Sequence, residues 1–125
     1  MKLDPSLLRL VLLEVERLDD GATDPFEVVI AGRSRQEVSY HVRALSEAGM
    51  VKAFDLPDGD PSGADLWMAW HLLWGGHQYL AAVRDETVWK RTLERVAKVG
   101  GSVTLEVMKA TATAVLKQSL GLGAG

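Results

Sequence analysis

A chain of 125 residues, 47% hydrophobic, is long enough to bury a core of its own, and having no cysteine it has no disulfide, thiolate ligand or cysteine nucleophile. Its formal net charge of −3 at pH 7 is opposite to the strongly basic balance of a non-specific nucleic-acid binder, whose affinity comes from phosphate neutralisation. No stretch reaches the roughly 20 apolar residues that span a bilayer, and Asp4 ahead of the first apolar run is unlike the basic lead of a signal peptide, so a cytoplasmic protein with no membrane association is expected.

Asp4-Pro5 reads as a helix start, with aspartate as N-cap and proline at the first helical position. Apolar residues at 7, 8, 10, 11, 12, 13, 15 and 18 make a band wider than a surface helix needs. Cover on more than one side is therefore expected, from the C-terminal helices or from a second subunit. Asp19-Asp20-Gly21 ends this helix. Residues 26–31, FEVVIA, read two ways. Asp24-Pro25 followed by Glu27 can open a one-turn helix, whereas Val28-Val29-Ile30 ahead of Gly32 suits a short strand better.

The next stretch, GRSRQEVSYHVRALSEAGMV, carries the strongest local pattern. Ser34 with Glu37 three residues later is a capping box, and Gly49 stands where a left-handed C-cap belongs. A helix is predicted from about Arg35 to Ala48, with Val38, Val42 and Leu45 facing the core and Gln36, Ser39, Tyr40, Arg43 and Glu47 on the opposite face. Residues 50–56 and 65–73 read as two strands joined by the turn-rich PDGDPSGA. After Gly75-Gly76 the chain returns to helix. HQYLAAVRD leads into ETVWKRTLERVAKV, where Trp89, Leu93 and Val96 repeat on one side. Gly100-Gly101 breaks that helix, and Ser102 can cap a last, alanine-rich one from Val103 to about Leu120, ahead of a flexible tail at 121–125.

SRQEVSYHVRALSEAGMV resembles the recognition-helix segment of small winged-helix repressors, in which a serine-capped helix ends in Leu-x-x-Ala-Gly-Leu/Met-Val. The longer run from SYHVRALSEAGMV through LLWGGHQYLAAVRDETVWKRT resembles a family of small bacterial and phage proteins catalogued as a domain of unknown function. Its middle motif reads roughly Leu-Thr-Trp-x-Gly-His-x-Phe-Leu-Asp-x-Ile-Arg-Asp-Asp-x-Val-Trp. Trp74, Gly76, His77, Arg84, Asp85 and Trp89 match it. Leu73 and Tyr79 stand for its threonine and phenylalanine, and an alanine for its first aspartate. The resemblance implies an α+β, mainly helical fold: a winged helix-turn-helix-like core at 1–74 and, within the same domain, a helical extension at 75–120 packed on it.

Function then rests on surfaces. On the face of the 35–48 helix, Arg43 can reach guanine, Gln36 adenine, and Tyr40 and Ser39 phosphate, with Arg33 and Arg35 anchoring the backbone at the helix N-terminus. The same residue types cover any solvated helix face. Asp55, Asp58, Asp60 and Asp65 in the hairpin have no basic residue between Lys52 and Arg84, and such carboxylates repel phosphate, so a bound duplex would need the wing turned away. A second basic face, Arg91, Arg95 and Lys98, can hold DNA backbone or an acidic partner, though Glu94 dilutes it. The three histidines lack ligands at metal spacing, and His77 is expected to pack with Trp74. The tryptophans read as core and interface residues rather than a base-stacking platform. There is no G-x-S-x-G, P-loop or dinucleotide fingerprint, and adjacent Asp85-Glu86 point about 100° apart on a helix. Neither an enzyme nor a cofactor or metal site is expected. The leading expectation is a phage or bacterial transcription regulator binding double-stranded DNA as a homodimer, paired through the first and last helices. The alternative is a protein-interaction module on the same scaffold, antitoxin-like or a phage–host adaptor.

Overall fold

The computed structural model describes residues 1–56, 65–100 and 103–121. The expected connector PDGDPSGA with Asp58 and Asp60, the Ser102 cap and the tail at 122–125 lie outside them. The chain is α+β and mainly helical, and divides into two compact units, Met1–His77 and Gln78–Gly125.

The first unit holds α1 (Pro5–Leu18), α2 (Arg35–Glu47) and the antiparallel pair β1 (Val51–Asp55) and β2 (Trp67–Leu72). Asp4 caps α1 as the sequence indicates, its carboxylate accepting the N–H groups of Ser6 and Leu7 at 2.9 and 3.4 Å. The wide apolar band of α1 is buried at Leu7, Leu8, Val11, Leu12 and Val15, whereas Leu10 is exposed. Val38, Val42 and Leu45 bury the inner side of α2, and Met50, Val51, Ala69 and Leu72 add the inner side of the hairpin. Helix α2 stops where Gly49 takes a φ of 73°, with the Met50 N–H reaching back to the Leu45 carbonyl at 2.9 Å. That is the left-handed termination only glycine adopts without strain.

The hairpin register contains a bulge. Lys52 faces His71 but Ala53 faces Ala69, leaving Trp70 as the extra residue on β2. The bulge lets Ala69 and Leu72, three positions apart, both point inward. On the other edge of β2, Phe26 forms a single antiparallel bridge, exchanging two backbone hydrogen bonds with Ala69 at 2.8 and 2.9 Å. The strand favoured for 26–31 is thus one paired residue, and 27–30 carry no regular structure although Val28 is buried. Residues 19–34, between α1 and α2, hold no helix.

Helix α3 (Trp74–Val83) corrects the reading of the glycine pair. Gly75 and Gly76 do not precede the helix; they lie in its first turn. A Cβ on Gly76 would stand 2.1 Å from the Met50 carbonyl oxygen, and one on Gly75 3.1 Å from that of Gly49. Glycine is required at 76 by close backbone approach, not by a turn. Trp74 and His77 are exposed rather than buried together.

In the second unit, Asp85 caps α4 (Glu86–Val99) by accepting the Val88 N–H at 3.0 Å. Val88, Trp89, Thr92 and Val96 are buried, with Leu93 only half so. Helix α5 (Leu105–Ser119) packs against α4. Its N-cap is Thr104, which accepts from the Val107 N–H at 3.2 Å. Of its alanines, Ala112 is buried while Ala110 and Ala114 are exposed. No helix among the described residues is long and apolar enough to cross a membrane.

Candidate nucleic-acid interface

Helix α2 is fixed to α1 by polar ties that leave one side of it in solvent. His41 is wholly buried. Its Nδ1–H donates to the Glu37 carbonyl at 2.7 Å, and its Nε2 accepts the Asp4 backbone N–H at 2.9 Å. Those two bonds specify a neutral ring protonated at Nδ1. The Asp4 carboxylate, besides capping α1, accepts from Arg33 Nη2 at 2.7 Å. Arg33 Nη1 in turn binds Glu37 at 3.2 Å. Burial pushes the Asp4 carboxyl up, but Arg33 and the N–H groups of Leu7 and Ser6 outweigh it and hold it below its ordinary value.

The candidate residues therefore separate. Arg33 is a tie between the start of α1 and the first turn of α2, so its fork is not directed at a backbone phosphate. Arg35 is gripped by Glu27, which accepts from Nε at 2.9 and 3.0 Å and from Nη2 at 2.6 Å. Ser39 leaves the outward set altogether. It is 4% exposed, its hydroxyl donating to the Asp65 carbonyl at 3.3 Å and accepting the Trp67 N–H at 2.8 Å. The wheel placed it outward because helical periodicity has no knowledge of a hairpin lying alongside. Gln36, Tyr40 and Arg43 do remain exposed.

Arg43 differs from the other two arginines. Glu47 takes only its Nε, at 3.0 Å, so both terminal nitrogens have no partner among the described residues. Its guanidinium lies over the Trp67 indole, 5.9 Å from the ring centre. Gln36, Ser39, Tyr40, Arg43, Asp65 and Trp67 line a shallow concavity of about 190 Å³. From sequence Trp67 reads as a packing residue and Asp65 as part of a repulsive wing; no spacing rule brings either to α2, and the hairpin register does. Trp70, by contrast, packs on Phe54 at 6.0 Å between ring centres, and its Nε1–H donates to the Ala22 carbonyl.

Arg91, Arg95 and Lys98 are all exposed on α4. Arg95 donates to the Gln118 side chain, while Arg91 and Lys98 have no partner among the described residues.

A family described as "Hypothetical protein (DUF2513)" matches residues 2–102. The chain belongs to this family. The match spans the whole first unit, the α2 face included, and continues through α4. This DUF2513 chain is also similar to an uncharacterized protein of Haemophilus influenzae (strain Rd), 27% identical over 120 residues that cover 96% of this chain and 99% of the relative. No solved structure matches it.

Proposed function

We propose that this chain is a winged-helix DNA-binding protein, a transcription regulator of phage or bacterial origin that acts as a homodimer and lays α2 in the major groove. The observation that carries this reading is Arg43. It is held at its root by Glu47 and flanked by Trp67, yet presents an unengaged fork on the exposed side of a capped helix. That is the geometry for end-on bidentate recognition of guanine. Gln36 and Tyr40 stand exposed on the same helix as further contacts. The short helix-turn-helix connection of three or four residues is not available to α2, since residues 19–34 separate it from α1. The ties through Asp4, Arg33 and the buried His41 do that aligning work instead.

All three arginines near α2 are ion-paired with carboxylates, so phosphate contact is a small part of binding. The expected complex is specific and weakly salt-dependent, with a slope of about −1 to −3 in log K against log salt. Selecting bound duplexes from a randomised library tests this. A recovered consensus whose complex is lost in Arg43→Ala but kept in Arg35→Ala supports it. Recovery of no sequence at low salt rejects it.

The second reading, a protein-interaction module, is favoured by the same neutralisation together with the exposed Asp55 and Asp65. A stoichiometric protein partner that binds across Tyr40 and Arg43, with no nucleic acid retained, would select it.

A further inference from the structure

The proposed interface contains a carboxylate where phosphate recognition would not tolerate one. Asp65 lines the same concavity as Gln36, Tyr40 and Arg43. Its backbone is pinned to α2, the carbonyl accepting from Ser39 and the next-but-one N–H, of Trp67, returning to the same hydroxyl. Its side chain is exposed and has no partner among the described residues. It does not pair with Arg43, whose carboxylate partner is Glu47. One unengaged guanidinium fork and one unengaged carboxylate thus border one concavity on the α2 face.

A carboxylate beside a DNA-binding helix is repelled by phosphate, so it is compatible with a duplex only if it meets a hydrogen-bond donor. In the major groove the cytosine 4-amino group is such a donor, and it lies next to the O6 and N7 acceptors of the paired guanine. A cation and an anion side by side complement that one base pair. We propose, resting on the DNA-binding reading above, that Asp65 is a specificity-determining residue: it accepts the cytosine 4-amino hydrogen of the G·C pair whose guanine Arg43 reads. The aspartate at the root of the wing then discriminates sequence, and the wing need not turn away from DNA at that point. Trp67 is the positioning residue between them, its ring under Arg43 and its N–H fixing the segment that carries Asp65.

The test uses the full chain and the consensus duplex recovered by selection. At each G·C pair in turn, cytosine is replaced by pyrimidin-2-one, which keeps the ring and lacks the 4-amino group. At one position the wild type should lose about ten-fold in affinity. Asp65→Ala should bind the parent duplex more weakly but lose less than two-fold on that same replacement. Only the backbone of Asp65 holds Ser39, so the variant keeps that tie, and a thermal melt coincident with the wild type verifies it. Equal losses for wild type and variant at every position overturn the Asp65 assignment while leaving DNA binding by α2 standing. Recovery of no consensus by the wild type overturns both.

Discussion

The α2 face and the α4 face each carry three candidate cations, but those near α2 are ion-paired with carboxylates and those on α4 are not, among the described residues. Around α2, Arg33 and Arg35 are paired with Asp4, Glu37 and Glu27, and only Arg43 keeps its fork unengaged. On α4, Arg91 and Lys98 stand in solvent without carboxylate partners among the described residues. Arg43, tethered at Nε alone, presents a directed fork with little net charge, whereas the unpaired cations of α4 present charge with little direction. The first arrangement suits readout of a base edge, and the second suits attraction to a polyanion or an acidic surface.

The comparison breaks most completely if α2 loses its ties. His41→Ala removes a wholly buried ring and orphans the Asp4 N–H, so a loss of about 2–4 kcal/mol is expected by urea denaturation. DNA binding should fall with it. Next in size, Arg91→Ala with Lys98→Ala should leave the selected consensus unchanged. If α4 contributes backbone contacts, the pair lowers the log–log salt slope by about 2. An unaltered slope assigns those cations to solvent.

A smaller change sharpens the contrast from the other side. Glu27→Gln removes the carboxylate charge that offsets Arg35 while leaving the arginine in place. Affinity for any duplex at low salt should rise several-fold, with the slope steeper by up to about 1. Duplexes unrelated to the consensus should gain as much as the consensus itself. The smallest effect concerns acid. The folded Asp4 carboxyl titrates below its ordinary value of 3.8. Its contribution is therefore complete above that pH and is lost as pH falls through the lower, folded value. In Asp4→Asn, which keeps a capping side chain but not the Arg33 ion pair, the melting temperature should vary less with pH below about 4 than in the wild type.

Much of the backbone was legible because its causes are local. Caps at Asp4 and Ser34, the glycine at 49 and the apolar spacing of α2 all act within a turn or two of the residues they order. Where the reading erred, the cause lay across the chain. Gly76 is glycine because Met50 passes beneath it, and residues 26–31 reduce to one bridge because only Phe26 meets Ala69. The candidate site divides the same way. Gln36, Tyr40 and Arg43 follow from helical periodicity. The burial of Ser39 and the arrival of Trp67 and Asp65 follow from a hairpin whose register contains an extra residue.

The sequence by itself determined which segments are helices, how α1 and α2 start, where α2 stops and which side of α2 is apolar, because hydrogen bonding and periodicity within a helix are short-range. Only the tertiary structure decided which charges are available. An arginine's role depends on whether a carboxylate lies within about 3 Å, and Glu27, Asp4 and Asp65 reach the α2 face through folding rather than through sequence proximity.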